Sequence, residues 1–176
     1  MEEFKSELLE VLPRKKRSFV YLAGNISDDP KTYEWREHFI ELTKHIHELV
    51  IVNPCGNKFN QGMRNIEGHG VEFIKEAKKR SQHLLRAKDY KMIDICNVMI
   101  VNLELISPEK PLIGTIQELC WAHDIFYIPV IAVVGSEKSQ LSNPYVQHPW
   151  LEECISAKVE TIEEAAEMIK TFFVEY

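Results

Sequence analysis

The chain lacks any apolar run close to the roughly 20 residues that cross a bilayer, so no membrane-spanning helix is expected. Its four cysteines, Cys55, Cys96, Cys120 and Cys154, include no C-x-x-C pair, so the common zinc and dithiol redox patterns are missing. Cys96 and Cys120 stand among apolar neighbours and read as small buried hydrophobes. Unpaired cysteines of this kind fit a reducing cytoplasm. Positive charge is scarce, with 21 Lys and Arg against 27 Asp and Glu and a net charge of −6. That balance argues against a basic face for nucleic acid, so no polymer partner is expected. The N-terminus lacks the order of charge, apolar run and small residues that marks a secretory signal. There is no G-x-G-x-x-G, no G-x-S-x-G, no internal repeat and no low-complexity segment. His45 and His47 point to different faces of a helix, so no metal is expected there. Neither a metal nor a cofactor is expected elsewhere.

What is present suits one soluble domain: 176 residues, 45% hydrophobic and 27% charged. Residues 1–17 read as a short helix over 2–12 and a basic connector, Arg14-Lys15-Lys16-Arg17. The domain proper runs over 18–176. Phe19-Val20-Tyr21-Leu22-Ala23 reads as a buried strand ending at Gly24, and Asp29-Pro30 as a helix start. A helix is expected over 30–48, then a strand Leu49-Val50-Ile51-Val52 stopped by Asn53-Pro54. Residues 55–70 read as a loop, and 71–94 as helix in two pieces meeting near Ser81. A strand over 98–103, a loop over 104–113, a helix over 115–125, a strand over 127–134 and a polar loop over 135–149 follow. A helical turn over 150–156, a short strand over 158–160 and a last helix capped by Thr161-x-x-Glu164 complete the chain. Strands apolar on both faces, alternating with helices, predict an α/β fold with a parallel sheet covered on both sides. Ligands in such sheets bind beyond the carboxyl ends of the strands.

Gly24 follows the first strand, where a missing side chain lets backbone approach a ligand; the same glycine also suits a plain strand-to-helix turn. Gly114-Thr115-x-x-Glu118 has two readings. Thr115 as N-cap and Glu118 three residues on form a capping box. The same geometry places a carboxylate in the first helical turn, where the helix dipole favours the anion. Asp89 and Asp94 lie late in a helix, where the dipole disfavours them. Glycosidic cleavage uses two carboxylates, one at the sugar carbon and one handling the leaving group's proton. Glu118 and Asp89 are a chemically sensible pair; spacing alone does not join them.

Four segments resemble the nucleoside 2-deoxyribosyltransferase superfamily over about residues 18–175. They are Val20-Tyr21-Leu22-Ala23-Gly24, Trp35-Arg36 with Asn53-Pro54, Asp89-Tyr90-x-x-Ile93 leading into Asn97–Leu103, and Gly114-Thr115-Ile116-Gln117-Glu118-Leu119-Cys120-Trp121-Ala122. The resemblance implies a single-domain, Rossmann-like or flavodoxin-like five-stranded parallel sheet of order 2-1-3-4-5. It implies that Glu118 attacks C1′ of a nucleoside and that Asp89 serves the leaving group or the sugar. It points to Tyr21, Gly24, Asn25, Ser27, Arg36 and Gly114 as substrate-binding residues. It further implies a homodimer or larger homo-oligomer, with loop 136–149 and Asn143 helping to complete a site. The sequence departs from the family at Cys96-Asn97 and Leu112. Asn25 and Ser27 stand where members acting on 5′-monophosphates carry Ser and Arg, leaving Arg36, Arg64 and Lys110 as sources of positive charge. The stretch 55–80 is longer than in the smallest members and suits a base pocket or a lid.

The implied activity is cleavage of the N-glycosidic bond of a nucleoside or deoxynucleoside, or of its monophosphate. The sugar passes to another base (transferase) or to water (hydrolase, glycosidase). Two alternatives share the fold. A phosphoribohydrolase of the lysine-decarboxylase-like group uses G-T-x-x-E, but with a P-G-G-x-G-T loop; Pro111-Leu112-Ile113-Gly114-Thr115 lacks its paired glycines. A non-catalytic nucleotide-binding or sensing module would keep the pocket and need no nucleophile.

Overall fold

A computed structural model describes residues 17–26, 30–56, 71–106 and 111–174, with backbone alone over 71–82. The expectations for residues 2–12, for the basic residues 14–16, for Asp29 and for most of loop 55–70 lie outside that set.

The elements in chain order are β1 (Ser18–Gly24), α1 (Lys31–Thr43), β2 (Leu49–Val52), α2 (Val71–Asp94), β3 (Val98–Asn102) and α3 (Ile113–Cys120). A π-helical turn, Trp121–Ile125, continues α3. Then come β4 (Val130–Val133), α4 (Glu137–Ser142), α5 (Pro149–Glu153), β5 (Ala157–Val159) and α6 (Ile162–Phe173). The five strands form one sheet in the order β2-β1-β3-β4-β5, and every pair is parallel. The α/β class read from the strand and helix pattern and the strand order implied by the resemblance both hold.

The three central strands are buried on both faces because the runs Val20–Ala23, Val98–Val101 and Val130–Val133 are apolar at every position. Successive side chains point to opposite faces, so each of these three strands feeds two cores. Tyr21, Ala23, Met99, Val101, Val130 and Ala132 face one cluster, where Ile93 of α2 and Leu119 of α3 pack. Val20, Leu22, Val98, Ile100, Ile131 and Val133 face the other, where Trp35 and Phe39 of α1 and Ala165 and Ile169 of α6 pack. Asn102 ends β3: its Oδ1 accepts the Glu104 N–H at 3.0 Å and the Leu105 N–H at 3.3 Å.

Several boundaries differ from the sequence reading. Residues 71–94 form one helix with no break at Ser81; a lone serine removes no backbone hydrogen bond. Helix α1 stops at Thr43, whose hydroxyl turns back to the Phe39 carbonyl at 2.8 Å. β4 begins at Val130 rather than 127, because Tyr127 takes a left-handed conformation, φ 53°, and Pro129 offers no N–H. The segment read as a polar loop contains α4. At α6 the capping box forms as expected, with Thr161 Oγ1 accepting the Glu164 N–H at 3.2 Å. Glu164 Oε2 in turn accepts the Glu160 N–H at 2.7 Å.

Candidate active site

The capping box proposed around Glu118 does not form. Helix α3 starts at Ile113, with Leu112 before it and no side-chain cap. Thr115 therefore lies inside the helix and is buried. Glu118 is the sixth helical residue and falls in the second turn, past the reach of the first-turn dipole. The start is set upstream by backbone: the Ile116 N–H bonds the Leu112 carbonyl at 2.9 Å, and the Leu112 N–H bonds the Tyr145 hydroxyl at 3.1 Å.

Tyr21 takes over the positioning of the carboxylate. It stands on the α2/α3 face of β1, and its hydroxyl donates to Glu118 Oε1 at 2.8 Å. Tyr21 is fully buried. Burial first, then the Glu118 and Asp89 charges, hold its phenol far above the ordinary range, so it remains a donor at every working pH.

Glu118 lines a cavity of about 310 Å³ together with Asp89, Arg86, Gly114, Gln117 and Trp121. The wall is two helical stripes. Gly114, Gln117, Glu118 and Trp121 recur at i, i+3, i+4 and i+7 on α3 and its π turn, and Arg86 and Asp89 stand three apart on α2. Burial pushes the Glu118 carboxyl from 4.5 up to about 7, and the Asp89 charge adds to the rise. The Tyr21 hydrogen bond and the charges of Arg36 and Lys88 oppose it. Asp89 is also raised by burial, against the Lys88 contact, where Nζ lies 3.0 Å from Oδ1. Burial raises both carboxyls at this one cavity, and Glu118, at about 7, exchanges its proton near neutrality, where acid–base chemistry operates. Lys88 also donates to the Pro54 carbonyl at 3.1 Å, joining α2 to the end of β2.

The other candidate residues are placed as follows. Gly114 lines the cavity. Arg36 does not: it is fully buried, and its guanidinium donates to the carbonyls of Leu22 (3.4 Å), Gly24 (2.9 Å), Asn25 (3.3 Å) and Thr32. Those bonds shape the turn from β1 to α1, and burial lowers the Arg36 pKa. Gly24 makes room for this arrangement. A side chain there would stand 3.0 Å from the Trp35 ring and 3.4 Å from Arg36. Asn25 contributes its carbonyl to Arg36 and is not among the cavity-lining residues. Asn143 is buried, donates to the Leu103 carbonyl at 2.7 Å and accepts the Tyr145 N–H at 3.0 Å. It fixes the segment whose Tyr145 hydroxyl meets Leu112. Ser27, Arg64 and Lys110 lie outside the described residues. Asp94 stands at the surface and pairs with Lys91 at 2.9 Å.

Sequence reasoning missed Arg86, Gln117 and Trp121. Their signal was helical spacing from Asp89 and Glu118. Arg86 stacks over Trp121, 5.3 Å from the ring centre, and Tyr90 meets the same ring edge-on at 5.2 Å.

No known family model matches the chain, and no curated protein matches its sequence. Among solved structures, it is similar to a conserved protein from Enterococcus faecalis V583, with a TM-score of 0.57 and 15% identity. That match covers 88% of this chain and 98% of the other. A 2-desoxiribosyltransferase from Leishmania mexicana aligns over 66% of this chain and 65% of its own, at 20% identity and a TM-score of 0.42. At these identities the likeness is one of fold, and the second is too loose to bear on chemistry.

Proposed function

We propose that this protein cleaves the N-glycosidic bond of a nucleoside, deoxynucleoside or nucleoside 5′-monophosphate, with Glu118 as nucleophile. The observation that carries the reading is the Tyr21–Glu118 hydrogen bond at a cavity that Asp89 also lines. The resemblance of the surrounding segments to the nucleoside 2-deoxyribosyltransferase superfamily supports it.

Ionised Glu118 uses the carboxylate oxygen not bound to Tyr21. That oxygen attacks C1′ as the C1′–N bond breaks, and the bonding pair leaves with the base. Asp89 delivers a proton to the departing base. The glycosyl ester on Glu118 is then opened at C1′ by a second base or by water, whose proton returns to Asp89, and the Glu118 carboxylate is restored. Arg86 is the one cation lining the cavity among the described residues, and it faces the anionic part of substrate or leaving group. A cavity of about 310 Å³ is at the small end for a ligand site, which suits a nucleoside held by its sugar and one edge of the base. The reading extends to a cytoplasmic homodimer or larger homo-oligomer, with the 71%-exposed Ile113 at the cavity wall offered to a neighbouring subunit.

The test is a panel of nucleosides and nucleotides, each with and without an acceptor base, followed by release of free base. Wild type releases base and Glu118→Ala does not. Exchange of bases marks a transferase, and release without acceptor marks a hydrolase. Binding without turnover, unchanged in Glu118→Gln, would establish a sensing module and overturn the catalytic reading.

A further inference from the structure

A second cluster of reactive side chains lies on the opposite side of α3 from Glu118. Cys120 closes α3, Asp124 follows in the π turn, and Cys154 immediately follows α5. One ligand atom from each, two sulfurs and a carboxylate oxygen, lie within 4.8 Å of one another. They line a cavity of about 640 Å³ that His123, His148 and Tyr145 also line. We propose that Cys120, Asp124 and Cys154 form a site for a thiophilic divalent cation of the Zn²⁺ type.

The donor set selects the ion. Two thiolates and a carboxylate bring three negative charges, and sulfur ligands favour zinc-like ions over calcium or magnesium. In tetrahedral geometry, metal–sulfur distances of about 2.3 Å put the ligand atoms roughly 3.5–4 Å apart, a modest contraction from the present spacing. Cys120 and Asp124 are four residues apart, so both project from one helical face, while Cys154 comes from a separate element. The fourth position opens to the cavity, where water or His148 completes the set. His123 supplies an outer contact: its Nδ1 lies 2.8 Å from Asp124 Oδ1, an arrangement that orients a metal-binding carboxylate. The π-helical turn is a further sign, since such turns are uncommon and concentrate at functional positions. Binding releases the Cys120 and Cys154 thiol protons to solvent, and the Cys154 thiol gives up its 3.4 Å contact to the Trp150 carbonyl. The bound ion ties the end of α3 to the end of α5. This site does not depend on the glycosidic reading of Glu118.

The experiment titrates reduced, metal-stripped protein with Co²⁺ and then with Zn²⁺. The expected result is a sulfur-to-cobalt charge-transfer band with tetrahedral d–d bands, saturating near one Co²⁺ per chain and abolished by Zn²⁺. Cys120→Ser and Cys154→Ser lose the band, and His123→Gln weakens binding at least about tenfold. Cys55→Ser, Cys96→Ser and Glu118→Gln keep it, which separates this site from the two other buried thiols and from the candidate active site. In unmodified protein, Zn²⁺ protects Cys120 and Cys154 from alkylation, a readout that needs no variant to fold. Absence of the band, its survival in the Cys120→Ser/Cys154→Ser double variant, or alkylation unaffected by Zn²⁺ would each overturn the proposal.

Discussion

The Tyr21 hydroxyl reaches across from the first strand and donates to Glu118 Oε1 at 2.8 Å, joining β1 to the second turn of α3. The bond fixes the carboxylate's rotamer and stabilises its ionised form. It does so where burial opposes ionisation, which leaves Glu118 with a pKa of about 7. A carboxyl with that pKa titrates near neutrality, and the proposed nucleophilic role requires its ionised form.

The first prediction concerns Tyr21→Phe. The hydrogen bond lowers the Glu118 pKa, so its loss raises it. A hydrogen bond to a charged group contributes about 1.5–3 kcal/mol, so the acid limb of the kcat/KM profile moves up by roughly one to two pH units. A profile unchanged from wild type would remove Tyr21 from the positioning role.

Asp89→Asn moves the limb the other way. The Asp89 charge raises the Glu118 pKa, so the amide lowers it and the acid limb shifts to lower pH. On the proposed mechanism the variant also loses its proton donor, and cleavage is expected to slow by about 10²- to 10⁴-fold. Rates with a nucleoside whose base leaves without protonation show the smaller loss, and comparison of the two substrates isolates the proton step.

Stability should respond to Glu118 as well. Its folded-state pKa of about 7 exceeds the ordinary 4.5, so the folded chain binds the extra proton between those values. Stability from this group is complete below pH 4.5 and is lost as pH rises through 7. Glu118→Gln removes that loss. Urea unfolding at pH 8 should show the variant stabilised, relative to its own difference at pH 4.5, by up to about 3 kcal/mol. Equal differences at the two pH values would contradict the raised pKa.

Arg36→Met removes the guanidinium from four carbonyls, those of Leu22 and Gly24 in β1, Asn25 just beyond it and Thr32 in α1. Buried unpaired acceptors cost about 1–3 kcal/mol each, so a loss of at least about 3 kcal/mol is expected in chemical denaturation. The contrasting result is near-normal stability with a raised KM. That would assign Arg36 to substrate rather than to the turn.

Much was legible in the chain itself. Runs such as Val20-Tyr21-Leu22-Ala23 and Val98-Met99-Ile100-Val101 are apolar at every position, and only a sheet covered on both faces buries both sides of such strands. Thr161 and Glu164 are local partners, so their capping box could be read from spacing alone. Thr115 and Glu118 have the same spacing, yet no box forms. That difference is tertiary: Tyr145, 33 residues from Leu112, helps set where α3 begins. Likewise Tyr21 meets Glu118 across 97 positions, and Cys154, just past the end of α5, lies beside Cys120 and Asp124. Arg36 has the charge of a ligand-binding residue, but complete burial commits it to backbone carbonyls. Periodicity and local hydrogen bonding determined the strands, the sheet and the final cap. Contacts between residues distant in sequence depend on how helices pack on that sheet, and only the folded structure decided them.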